Sequence, residues 1–150
     1  MINIALFQPD IPQNTAAIIR LAACLNVRVH IIKPCGFNLE DSRFKRVVMD
    51  YGKNVKISIY EDFKMFEKQN AKLRIILMTT KAKKIYHNFK FKKDDILLLG
   101  RESAGLPSLI HKKFKNKLKI LMNKKTRSLN VAMAAAIVSS EALRQIKHLS

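Results

Sequence analysis

The chain has no tryptophan, two cysteines, four glycines and four prolines in 150 residues. Two cysteines, Cys24 and Cys35, cannot build a disulfide framework, and they lack the spacing of a zinc site. His30, His87, His111 and His148 are scattered without ligand spacing, so no bound metal is expected. So little glycine and proline excludes collagen, flexible linkers and low-complexity disorder. Long hydrophobic runs are missing too. The longest, residues 131–138, falls far short of the ~20 residues of a membrane helix. No basic stretch precedes the apolar residues 2–7, so they read as a strand rather than a secretory leader. These absences together predict a reduced, cytoplasmic protein.

Acidic residues are also scarce. Eleven Asp and Glu face 29 Lys and Arg, leaving a net charge of +18. The basic residues are 21 Lys and 8 Arg, beside 10 Asn, a bias that AT-rich codon usage alone would also produce. Whatever its origin, such a charge attracts polyanions, nucleic acid first among them. Hydrophobic residues make up 48%, and the length suits one domain, residues 1–150, with a sizeable core.

Short apolar runs alternate with helical patterns. Residues 2–7 and 27–32 predict strands. Between them Ile18, Leu21, Ala22 and Leu25 recur at helical spacing, with Asn14 or Thr15 as a cap. Phe44, Val47, Val48 and Tyr51 mark a second helix, residues 55–60 a strand, and residues 61–68 a short helix. Residues 73–78 and 96–99 are continuous apolar runs, as in strands covered on both faces. A last strand is predicted over 118–122 and a long, Ala-rich helix over Val131–Ile146, apolar around much of its surface and hence buried. This order predicts an α/β fold with a mostly parallel sheet flanked by helices on both sides. Ligands of such sheets sit at the carboxyl ends of the strands. The functional segments are therefore expected near residues 8–14, 79–81, 100–107 and 123–130. Two Lys-rich stretches, 81–93 and 112–125, are either solvated faces or polyanion contacts.

No GxGxxG follows a strand, so a dinucleotide site of the usual kind is unsupported. Gly100-Arg-Glu-Ser-Ala-Gly105 has glycines at phosphate-loop positions, but Leu106 and Pro107 stand where a Lys and a hydroxyl residue are needed. Ser103 and Ser128 lack a nucleophile elbow. Three polar segments remain, each after a predicted strand: Gln8-Pro-Asp-Ile-Pro-Gln-Asn-Thr15 with Arg20 beyond it, Gly100-Arg-Glu-Ser-Ala-Gly-Leu-Pro107, and Thr126-Arg-Ser-Leu-Asn130. Taken singly, Asn14 and Asn130 could be helix caps and the glycines turn residues. At three strand ends of one sheet they form one candidate site.

These segments resemble the three motifs of the SPOUT RNA methyltransferases. They are most similar to the small TrmL/YibK-like tRNA wobble-nucleotide 2′-O-methyltransferases. Ile18-Ile-Arg20, Asp50-Tyr51, Thr79-Thr-Lys81 and Glu141-Ala-Leu-Arg-Gln145 add to the likeness, which spans essentially the whole chain. The resemblance implies a C-terminal trefoil knot, which general topology rules disfavour. It implies S-adenosylmethionine as cofactor, bound by Met78, Gly100, Ile120 and Ser128, and a homodimer that acts on the anticodon stem-loop of tRNA. It implies catalytic roles for Arg20, Asn14, Glu102, Ser128 and Asn130. Lys81, Lys83, Lys84 and Arg127 would contact RNA. Gly100 is expected to let backbone approach the cofactor. Glu102 would either pair with Arg20 or accept a proton. Two other functions fit the same composition: ribosomal RNA 2′-O-methylation and RNA binding without catalysis.

Overall fold

The computed structural model describes residues 1–146, and His148 lies outside them. The elements run β1 (Asn3–Phe7), α1 (Pro12–Leu25), β2 (Arg28–Ile32), α2 (Ser42–Tyr51), β3 (Ile57–Tyr60), α3 (Phe63–Gln69) and β4 (Ile75–Met78). They continue through β5 (Lys84–Ile85), β6 (Ile96–Leu99), α4 (Ser108–Lys113), β7 (Lys117–Lys119) and α5 (Val131–Ile146). All the strands join one sheet in the order β3-β2-β1-β6-β4-β7-β5, and every pairing is parallel.

The continuous apolar runs follow from burial on both faces. Along β1, Ile4 and Leu6 turn toward a core completed by Ile18, Ile19 and Ala22 of α1, Phe44 of α2, and Ala135 and Val138 of α5. Ala5 and Phe7 turn to the opposite core, against Phe66 of α3 and Ile110 of α4. In the central strands β4 and β6, covered by helices on both sides, every position is apolar, so the period-2 alternation disappears there. Each large side chain buried this way contributes ~1.5–3 kcal/mol.

Element boundaries moved where local chemistry overrode periodicity. Helix α1 starts at Pro12, and its N-cap, Ile11, is extended and makes no side-chain cap bond. Proline suits a first turn because its missing N–H would have had no partner there. Asn14 and Thr15 are therefore inside the helix and are not its cap. Asp41 and Asp62 do cap α2 and α3 through their carboxylates. Strand β7 covers Lys117–Lys119 instead of 118–122, so residues 120–122 leave the sheet toward the site. The Lys-rich stretch 81–93 carries β5 and buries Ala82, Phe89 and Phe91 between its lysines. Two-residue β5 and six-residue α4 are too short to show a period.

Helix α5 matches its expected span but is not buried all round. Ala132, Ala135, Val138, Ser139, Ala142 and Leu143 face inward, while Met133 and Ile137 stay 59% and 36% exposed. Gln145 ties the helix end to the β5–β6 crossover. Its Oε1 accepts from the Phe91 N–H at 2.9 Å, and its Nε2 donates to the Phe89 carbonyl at 3.0 Å. Among the described residues, no helix is long and apolar enough to cross a membrane, and no group of three His, Cys, Asp or Glu could hold a metal ion.

Candidate active site

Strand order decides where the polar segments go. β1, β6, β4 and β7 are neighbours in the sheet. Because all run parallel, residues 8–14, 100–107, 79–81 and 120–130 emerge side by side at one edge. They enclose a cavity of about 500 Å³, within the usual range for small-molecule sites. Ile11, Met78, Leu99, Leu106, Ile120 and Val131 form its apolar wall. Asn14, Lys81, Glu102, His111, Lys119, Ser128 and Asn130 are among its polar lining.

Three of the expected catalytic residues form one hydrogen-bonded chain. Asn14 Nδ2 donates to Glu102 Oε1 at 3.3 Å, and Asn130 Nδ2 donates to Asn14 Oδ1 at 2.9 Å. Asn130 Oδ1 in turn accepts from the backbone N–H groups of Ala132 (2.8 Å) and Met133 (3.3 Å), capping α5. Asn130 is thus both a helix cap and a link in the site. One side-chain chain spans residues from the ends of β1, β6 and β7.

Asp10, part of the motif at residues 9–15 but not among the expected site residues, clasps the loop that carries Glu102. The Asp10 N–H donates to Glu102 Oε2 at 2.9 Å, and the Glu102 N–H donates to Asp10 Oδ1 at 3.2 Å. Ser103 Oγ donates to Asp10 Oδ2, and Arg101 Nε lies 3.5 Å from the same oxygen. The neighbouring Glu102 carboxyl, then the Ser103 hydroxyl and the Arg101 charge, lower the pKa of the Asp10 carboxyl to about 2. Burial pushes the Glu102 carboxyl above its ordinary value, and the adjacent Asp10 carboxyl adds to the rise. The clasp requires Gly36, since a Cβ there would meet Asp10 Cβ at 2.5 Å.

The loop from residue 100 to 105 is a tight turn. The Gly105 N–H donates to the Arg101 carbonyl at 2.8 Å, and Gly105 has φ +67°. A Cβ on Gly100 would meet Gly105 C at 2.5 Å and Leu106 N at 2.7 Å. The close approach at Gly100 is therefore to the turn itself.

On the opposite wall, His111 Nδ1 donates to the Pro107 carbonyl at 3.3 Å, leaving Nε2 to accept from the Thr79 hydroxyl at 2.8 Å. Thr79 Oγ1 also accepts from the Lys81 N–H at 3.2 Å. Burial lowers the His111 pKa, as do Lys81 and Lys117, which favours the neutral ring these contacts need. Nothing in the spacing of His111 marked it; only the approach of α4 to the end of β4 makes it part of the site.

Met78, Gly100, Ile120 and Ser128 all line the cavity, as does Lys81. Arg20, Lys83, Lys84 and Arg127 stand outside its lining and are exposed. The Arg20 guanidinium lies over the Tyr51 ring, 5.2 Å from its centroid. Glu102 engages Asp10 and Asn14, not Arg20. Lys84 rests over Phe89 at 5.3 Å.

The SpoU rRNA methylase family matches residues 1–140. A tRNA (cytidine(34)-2′-O)-methyltransferase of Beijerinckia indica is 46% identical over 98% of this chain and 93% of its own. The protein of the same name from Escherichia coli K12 is 35% identical over 97% of this chain and 94% of its own. A solved structure concerned with 2-OH methylation of C/U34 on tRNA superposes with a TM-score of 0.93 at 34% identity, covering 99% of this chain and 97% of that one. With residues 1–140 matched and the strand-end motifs converging on one cavity, the chain belongs to the SpoU methylase family.

Proposed function

We propose that this protein methylates the ribose 2′-hydroxyl of nucleotide 34, the wobble position of tRNA, using S-adenosylmethionine. The observation that carries the reading is the strand-end cavity bridged by the Glu102–Asn14–Asn130 chain. The names of relatives that match nearly the full chain support the substrate. The cavity suits the cofactor. It has apolar walls at Ile120, Met78 and Leu106 for a heteroaromatic base, and a hydroxyl and cations at Ser128, Lys81 and Lys119 for polar ends. When bound, the cofactor supplies an electrophilic methyl group.

The chain's own work is positioning and charge. Asn14 and Asn130 fix Glu102 and the start of α5 relative to each other, so the reacting groups meet preorganised walls. Arg20 serves the RNA from outside the cavity, as a cation for a backbone phosphate and for negative charge on the 2′-oxygen. A guanidinium stays protonated at neutral pH, so it serves as a cation and not as a base. Lys81, Lys83, Lys84 and Arg127 add phosphate contacts, which give affinity without reading sequence.

The whole chain acts as one SPOUT domain in this reading. The insertion of β7 between β4 and β5 supports a knotted path. The exposed Met133 and Ile137 of α5 support a homodimer; sedimentation at micromolar concentration yielding only a 17.2 kDa particle would remove the dimer. The decisive experiment is mass mapping of ribose methylation in tRNA and ribosomal RNA, with and without the protein. Methylation at position 34 is expected. A modification confined to ribosomal RNA, or none, overturns the reading.

A further inference from the structure

A 2′-hydroxyl that gains a methyl group must lose a proton, and Arg20 cannot take it. The titratable side chains lining the cavity are Lys81, Arg101, Glu102, His111 and Lys119. Lysine and arginine are protonated at neutral pH and can only donate. The one lone pair of neutral His111, on Nε2, is already engaged by the Thr79 hydroxyl, and Nδ1 carries the proton given to Pro107. Glu102 remains. Each of its oxygens accepts one hydrogen bond, from Asp10 N–H and Asn14 Nδ2. A carboxylate offers about four acceptor positions, so capacity is left for a substrate hydroxyl.

Resting on the methyltransferase reading above, we propose that Glu102 accepts the 2′-hydroxyl proton and that Asp10 is the positioning residue that holds the Glu102 carboxylate in place. The step balances without a further reactant. As the oxygen–methyl bond forms and the methyl–sulfur bond breaks, the O–H electron pair stays on oxygen and the proton passes to a Glu102 oxygen. The positive charge that leaves sulfur is matched by neutralisation of one carboxylate, which later releases its proton to water. A carboxylate cannot strip a free hydroxyl, but the proton becomes acidic as the oxygen commits an electron pair to carbon. Transfer during bond formation is therefore the productive route.

Three groups bear on the charge of Glu102. Asp10 abuts it with a carboxyl that stays ionised. Arg101, its chain neighbour, is drawn to Asp10. Cys35, on the loop after β2, is pushed up to about 11 by burial and stays a neutral thiol. Asp10 is thus the neighbour whose charge opposes ionisation of Glu102, in agreement with the upward direction of its pKa.

The test uses the wild-type protein, Glu102→Gln and Asp10→Asn. The Glu102 carboxyl is titrated by carbon-13 NMR without cofactor, single-turnover methylation of tRNA is followed from pH 4.5 to 8.5, and S-adenosylhomocysteine binding is measured by calorimetry. The wild-type rate should fall on the acid side with the midpoint seen by NMR. Glu102→Gln should slow methyl transfer by ~10²-fold or more, with S-adenosylhomocysteine affinity little changed. Asp10→Asn should move the NMR midpoint and the acid limb of the rate to lower pH together, which loop disorder alone would not do. A Glu102→Gln rate near that of wild type overturns the proposal. So does an acid limb that ignores the shifted midpoint, or, if the variants do not fold, a wild-type limb that departs from the Glu102 titration. A wild-type protein that methylates no tRNA overturns the functional reading itself, whatever the titration shows.

Discussion

Replacing Gly100 by alanine tests whether the turn at residues 100–105 shapes the cavity. An added Cβ would sit 2.5 Å from Gly105 C and 2.7 Å from Gly105 Cα, against an ordinary contact that begins near 3.4 Å. The turn must therefore retreat by about 0.9 Å. The atoms in the way are backbone, so no rotamer change relieves the clash. Overpacking of this kind costs ~1–3 kcal/mol. The displaced turn carries Glu102, so its bonds to Asp10 and Asn14 lengthen with it. Gly105→Ala is the matched control. Its Cβ meets nothing within 4 Å, and its φ of +67° imposes only left-handed strain, a penalty of ~1–2 kcal/mol. Thermal melting combined with calorimetry of S-adenosylhomocysteine separates the two. Gly100→Ala should lose stability and at least tenfold in affinity. Gly105→Ala should lose stability while keeping most of its affinity. Unchanged affinity in Gly100→Ala, or the same affinity loss in both, would refute the argument from turn packing. A loss of affinity in Gly100→Ala with no change in melting would point instead to direct approach of the cofactor to Gly100.

Burial, with Arg28 and Lys56 nearby, depresses the pKa of His30 from 6.5 to about 4, so the folded protein refuses a proton that the unfolded chain accepts. Stability from this source is full above pH 6.5 and is lost as pH falls toward 4, to a limit of about 3 kcal/mol. Urea unfolding at pH 7.5 and 4.5 should show a steeper decline for wild type than for His30→Gln; equal declines would dismiss the linkage. Arg20→Ala should lower kcat by ~10²–10³ with S-adenosylhomocysteine affinity intact, and Arg20→Lys should stay poor because lysine lacks the planar fork. Wild-type turnover in Arg20→Ala would make Arg20 a bystander. Removing Lys83 and Lys84 together should weaken tRNA binding and flatten its salt dependence by ~0.7–0.9 for each phosphate no longer neutralised; an unchanged salt slope would take both lysines off the RNA surface.

Much of this protein is legible in one dimension because the cause is local. The short apolar runs around Leu77 and Leu98 have the pattern of strands covered on both faces, and α5 follows from its uninterrupted alanine-rich pattern. The spaced motifs identify the family, and Asn14, Glu102, Ser128 and Asn130, which they carry, all line the cavity. Other features depend on pairing between residues far apart in sequence. Nothing local sets β6 between β1 and β4, yet that order brings residues 10 and 102 together. The Asp10 clasp and the Thr79–His111 pair exist only because the parallel strands end at one level. The cap at Asn14 failed because Pro12 already starts α1, which turns the Asn14 amide to Glu102 instead. The close approach at Gly100 needs the turn to fold back on itself. Sequence determined which chemical groups the protein has and which segments carry them. The sheet decided which of those groups meet, because long-range contact is set by strand order and register, and neither is written in any single segment.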